Sequence, residues 1–327
     1  MLQSNVTTWL KFALQQIAAE SYWDSINLLD PVAVSEALSR GNNRLGFPDS
    51  GFTRMTTLQA QQFVQQYEII SHHENDASGF SATLIKDTIT GQYTLSFRST
   101  EYRLQADGGD RERDGAAGAD GEISGNGFAF GQLAAMEQYY SDLKASGKLP
   151  TGATLNVTGY SLGGHLATVF TELHAEEINH TYLFNTPGRG VFNVDSALGN
   201  AGTLSAMIQY YRTVLNNPMA GWDPSFVGDT DLESAFTAAK NATSSIDSLN
   251  NLYDDPREHW AVLVTSRKYV TQFPFFSRTG LDPLADSKII AIYGHATTGD
   301  LEIVANSGVH ASDLQRVFIE DQPQLEG

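Results

Sequence analysis

Cysteine is absent from the 327 residues, which excludes disulfides, thiolate metal sites and a cysteine nucleophile together. Long apolar runs are missing as well, since none approaches the roughly 18 residues of a membrane span. Positive charge is scarce: 20 Lys and Arg against 38 Asp and Glu give a formal charge of −18. No basic cluster offsets it, so nucleic acid and anionic membranes are repelled. The first residues lack the basic region and apolar core of a secretory leader, and Trp9 to Glu20 read as an amphipathic helix instead. That combination fits a cytoplasmic protein or one secreted without a leader. What is present suffices for a core: 41% of residues are hydrophobic, in a length that suits one large α/β domain with insertions.

Residues 1–79 read as mostly helical. Thr56 and Thr57 precede Leu58, Phe63, Val64 and Tyr67 at near-helical spacing, which predicts a capped helix. From Phe80 the period falls to two, and a turn at Thr90-Gly91 leads into Tyr93 to Arg98, so the pair reads as a hairpin. Asp107 to Gly127, rich in Gly, Asp and Arg, is expected as a solvated loop. Phe128 to Ser146 is expected as a helix, Thr154 to Tyr160 as a strand, Leu162 to Glu177 as a helix and His180 to Phe184 as a strand. That succession implies a parallel crossover. Leu204, Met207, Ile208, Tyr211 and Leu215 make an amphipathic helix, and Thr230 with Glu233 matches a capping box before another. We therefore expect an α/β core over 80–199 and 286–327, interrupted by a helical insertion or cap over 200–285. Strands are expected again at Lys288 to Tyr293 and Arg316 to Ile319.

Gly159-Tyr160-Ser161-Leu162-Gly163 lies between an expected strand and an expected helix. A nucleophile elbow needs that context, because glycines remove side chains from a sharp turn and leave the serine exposed above the sheet. The helix starting there aims unpaired N–H groups at developing negative charge. Such a serine needs a histidine base oriented by a carboxylate, expected in the chain order Ser, Asp, His. Asp300 follows the expected strand Ile289 to Tyr293 and is preferred; Asp223, in Trp222-Asp223-Pro224, is the alternative. His310 is the histidine that follows Asp300. His165, one helical turn beyond Ser161, is expected to pack, and His72, His73, His259 and His295 precede Asp300.

The run Thr158 to Ala167 resembles the class 3 lipase family, and more closely the lipase-like domains of bacterial RTX-type calcium-binding secreted proteins. The resemblance extends over Phe80 to Glu101, Gly127 to Gly190 and Phe318 to Pro323. It implies an α/β-hydrolase fold with a mostly parallel sheet and a Ser-His-Asp triad. It implies a lipid ester substrate, met in some cases at a lipid-water interface. In that family a strand ending Phe-Arg-Gly-Thr or Phe-Arg-Gly-Ser supplies an oxyanion donor; here Phe97-Arg98-Ser99-Thr100 stands in its place. Thr100 is thereby the implied donor beside the N–H of Leu162, with Ser99 departing from the usual glycine. In the RTX-type relatives a His-Ser pair follows the segment like Phe318 to Pro323, so the base is either His310 or lies beyond Gly327. Secretion is implied likewise. No cofactor is expected to be required. Calcium has no specific motif, since Asp107 to Glu122 does not match EF-hand spacing. Phe273, Phe275 and Phe276 form a compact aromatic group suited to a lipid surface. The rival readings are a non-catalytic hydrolase-fold interaction domain of a larger secreted protein, and a short-chain or polyester esterase.

Overall fold

The computed structural model describes residues 2–42, 53–101, 104–107, 109–115, 118–190, 192, 197–216, 280–294 and 309–317. Helix α1 (Leu2–Glu20) is followed by α2 (Pro31–Arg40) and α3 (Thr57–Gln66). The threonine signal before α3 is realised as a capping box: Gln59 N–H donates to Thr56 Oγ1, and Thr56 N–H donates to the Gln59 side chain. Two backbone donors are satisfied reciprocally.

Strands β1 (Tyr67–His73), β2 (Ala82–Asp87), β3 (Tyr93–Phe97), β4 (Leu155–Tyr160), β5 (Ile178–Phe184), β6 (Ile289–Gly294) and β7 (Leu314–Val317) form one sheet in that order. The pairs β1·β2 and β2·β3 are antiparallel, and every pair from β3 to β7 is parallel. The hairpin is β2–β3. Strand β1 was not expected: it continues directly from α3 and pairs through a bulge between Ile69 and Ser71, which breaks its alternation.

Alternation along the strands separates the two faces of the sheet. Leu84, Leu95, Val157, Leu183, Ala291 and Tyr293 join one buried cluster with residues of α6 (Phe130–Ala145), α7 (Leu162–Leu173) and α8 (Gly199–Asn216). On the other face α1 lays Phe12 on Tyr182, ring centroids 3.9 Å apart, with Ile292 in the same cluster. Burying a Leu, Val or Phe side chain completely contributes about 1.5–3 kcal/mol, so both faces are strongly specified. A largely parallel sheet between helical layers is an α/β architecture, and the Gly-x-Ser-x-Gly turn from β4 into α7 gives it the α/β-hydrolase arrangement. Helix α9 (Pro283–Lys288) leads into β6.

The segment expected as a solvated loop is instead structured. It holds α4 (Arg111–Asp114) and α5 (Ala119–Asn126), and Asp110, Asp114 and Glu122 are buried. Its polar side chains found tertiary partners: Asp114 accepts from Gln132 Nε2 and the Glu101 N–H, while Asp110 pairs with Arg113. Most of the insertion expected at 200–285, with Asp223, Thr230, Glu233, Phe273, Phe275 and Phe276, lies outside the described residues, as does Phe318 to Pro323.

Candidate active site

Ser161 sits between β4 and α7 with φ 50° and ψ −119°. A non-glycine residue at positive φ costs of order 1–3 kcal/mol and persists only where the surroundings impose it. They do so here by crowding. A Cβ on Gly159 would lie 2.1 Å from the Gly163 carbonyl oxygen, one on Gly163 would lie 2.3 Å from that of Phe97, and one on Gly164 would lie 2.6 Å from Thr186 Cβ. The glycines let β4, α7, β3 and the chain after β5 approach to backbone contact. The Ser161 N–H donates to the Phe184 carbonyl, and its own carbonyl accepts the His165 N–H. None of the described residues hydrogen-bonds its Oγ.

On the β3 side, Ser99 sits without strain: its φ is not positive, and both its N–H and its hydroxyl donate to the buried Glu20 carboxylate. Arg98 beneath it is buried, ion-paired to Glu101 and stacked over the Tyr22 ring. Thr100 is buried, and its hydroxyl donates to Asp120 of α5, 3.1 and 3.0 Å from the two carboxylate oxygens. Burial pushes the Asp120 carboxyl up to about 6, against the lowering effect of that hydrogen bond. Leu162 begins α7, and its buried side chain packs with Ala119 and Ile123 of α5 and with Ala129. Segment α4–α5 therefore touches both residues implied as oxyanion donors.

His165 is completely buried. Its Nδ1 lies 2.8 Å from the Gly188 carbonyl and its Nε2 accepts the Ala129 N–H. Burial brings its pKa down to about 4. With both nitrogens engaged it packs and ties loops together, as expected from its place in the helix. His72 donates to or accepts from Thr83, and His73 faces Asp76, both on the β1 side of the sheet.

His310 is half-buried, with Nδ1 2.8 Å from Tyr293 Oη. Tyr293 gives its own proton to the Thr186 carbonyl, so its oxygen accepts from the ring and Nδ1 carries the hydrogen. In the neutral ring Nε2 is then the basic nitrogen. A backbone bridge between Arg189 and Val309 holds this segment against the chain after β5. Asp300, Asp223, His259 and His295 lie outside the described residues. The strand that precedes Asp300 does lie in the sheet, parallel to β5 and two strands from Ser161.

Sequence reasoning missed two neighbours of the site. Asn185 follows β5 with φ 44°, and its Oδ1 accepts the N–H of Gly294 at the end of β6. Asn is the non-glycine residue that best tolerates this conformation, which was its only signal. Asp120 carried none, being one acid among several in a Gly-rich stretch. Among the described residues no group of three His, Asp or Glu could hold a metal ion, and no described helix is long and apolar enough to cross a membrane.

No protein-family model matches the sequence, and no curated protein matches it. Among solved structures the chain is similar to Lip2 lipase from Yarrowia lipolytica, at 15% identity and a TM-score of 0.35 over 58% of this chain and 60% of that one. It is similar to lipase II from Rhizopus niveus at 14% identity and a TM-score of 0.34, over 63% and 68%. A hydrolase from Pseudomonas aeruginosa aligns at 14% identity and a TM-score of 0.24, over 78% and 94%. Scores this low do not by themselves assign a reaction. The chain spans about 60% of the length of the first of these.

Proposed function

We propose that this protein is a serine-dependent carboxylic-ester hydrolase acting on lipid esters, with Ser161 as nucleophile. The observation that carries the reading is the strained Ser161 backbone, held at φ 50° between β4 and α7 by three glycines whose replacement would drive atoms to within 2.6 Å. A fold that needs only a turn has no use for that strain.

In the proposed reaction Ser161 Oγ attacks the ester carbonyl carbon as its proton passes to a histidine. The negative oxygen of the tetrahedral intermediate accepts from the N–H of Leu162, at the start of α7, and from Thr100. Because the Thr100 hydroxyl donates to Asp120, its backbone N–H is the donor left for the oxyanion. Collapse expels the alcohol, which takes the proton from the histidine, and water releases the acid by the same steps. We assign the base to His310, whose Nδ1–H is held by Tyr293; Asp300, the carboxylate expected to orient it, would take the place of Tyr293 at Nδ1 in the reacting arrangement. What supports His310 is chain order and a basic Nε2, its Nδ1–H being committed to Tyr293.

The test is labelling with a fluorophosphonate, which reacts with an activated serine. The wild-type protein is expected to be labelled once, at Ser161. Ser161→Ala should lose labelling and lower ester hydrolysis by about 10⁴-fold or more, with an unchanged circular dichroism spectrum. An unlabelled, inactive wild-type protein would favour the non-catalytic interaction domain, and turnover surviving in the alanine variant would exclude Ser161.

A further inference from the structure

An ester hydrolase needs somewhere to lay the part of its substrate beyond the carbonyl. On the β3 side of Ser161 the space is taken: Ala119 and Ile123 of α5 pack on Leu162, and Asp120 holds Thr100. On the β5 side the described residues leave a large side chain uncovered. Tyr160, the residue before Ser161, is 42% exposed, unusual for a large side chain at the end of a central strand.

Alternation fixes its face. Leu155 and Val157 point into the α7-side core, and a Cβ on Gly159 would meet α7, so Tyr160 projects from the opposite face, the one α1 crosses. The C-terminal end of α1 is anchored over β3, with Gln16 on the Phe97 carbonyl and Glu20 on Ser99. Its Phe12 lies on Tyr182, so Tyr160 stays open beside it. Across the sheet Tyr160 pairs in register with Phe184, whose carbonyl takes the Ser161 N–H. Phe184, Ile290 and Trp9 are half-buried apolar residues packed on the Phe12, Tyr182 and Ile292 cluster. An apolar strip thus starts at the nucleophile's neighbour and continues over β5 and β6.

We propose that Tyr160, with Phe184 beside it, is the ledge that receives the acyl chain of the ester, making Tyr160 a determinant of chain-length preference. This rests on Ser161 being the nucleophile. The ledge selects by apolar contact, so the ring matters and its hydroxyl does not. Each additional methylene resting on it is removed from water, whereas an acetyl group is too short to reach it.

The experiment measures kcat and KM on p-nitrophenyl acetate, butyrate and octanoate for the wild type, Tyr160→Ala and Tyr160→Phe, with the rate of fluorophosphonate labelling as an independent readout of Ser161. Tyr160→Ala is expected to raise KM for the octanoate by about 10-fold, leave the acetate within about twofold, and keep wild-type labelling by a short-chain fluorophosphonate. Tyr160→Phe should match the wild type on all three esters. An equal loss on every chain length, or a loss in the Phe variant, overturns the ledge while leaving Ser161 as nucleophile. Absence of labelling in the wild type overturns both assignments, and is told apart by that readout.

Discussion

A carboxylate beside the proposed oxyanion donor Thr100 has a pH signature. The Asp120 carboxyl is raised from its ordinary 3.8 to about 6 because burial strips its water, so the folded chain holds that proton more tightly than the unfolded chain does. Its contribution to stability is complete below pH 3.8 and is lost as pH rises through about 6. Asp110, raised to about 6 by the same cause, acts in the same window. His165 acts oppositely: its pKa falls from 6.5 to about 4, so its contribution is full above 6.5 and is lost as pH falls through about 4. Asp120→Asn keeps an acceptor for Thr100 but cannot ionise, and its melting temperature is expected to fall less than that of the wild type between pH 4.5 and pH 7. A parallel decline in both proteins would mean that Asp120 does not titrate there. These couplings were illegible in the sequence because a carboxylate's environment is set by what buries it: Asp120 meets Thr100 across 20 residues, and Glu20 meets Ser99 across 79.

At the scale of elements, β4–turn–α7 is where local sequence and tertiary packing agree most closely. Gly159→Ala would push a methyl group to 2.1 Å from a backbone oxygen that no rotamer change can move. We expect a loss of about 3 kcal/mol or more, read by urea unfolding, whereas Gly152→Ala, with open space around its Cβ, should lose only the smaller cost of a positive φ, about 1 kcal/mol. Equal losses would mean that the close approach at the elbow is not what constrains the turn. Most elements were legible for the same reason. Period-two alternation marked β2 and β3, helical spacing marked α3, α6 and α8, and the elbow marked the junction of β4 with α7. Strand β1 escaped because it has no turn residue between it and α3. Helices α4 and α5 escaped because Gly and Asp are poor helix formers in isolation, and their order comes from carboxylates bonded to β3 and α6 neighbours.

For the whole molecule, one buried ion pair gathers distant parts of the chain. Arg189 and Glu172 are both buried and doubly bonded, and Glu172 also accepts from Asn200 of α8 and from the Asp282 N–H, while Arg189 donates to the Gly280 carbonyl. Helix α7, the chain after β5, α8 and the entry to α9 therefore meet at one point. Removing one partner strands a buried charge, so Glu172→Ala is expected to cost about 3–5 kcal/mol, and Glu172→Leu combined with Arg189→Met should recover most of it. A single-variant loss under about 1 kcal/mol by urea unfolding would show that water reaches the pair.

Strand order in the sheet is the same as strand order in the chain. A chain emerging from the ribosome therefore meets, at each new strand, a neighbour that has already been made, and the sheet can be extended at one edge without reopening it. The elbow, with the strands on both sides of it and Thr186 against Gly164, is complete once Thr186 has been synthesised. By then little more than half of the 327 residues exist. Everything synthesised afterwards is added beside a turn whose strain has already been locked in.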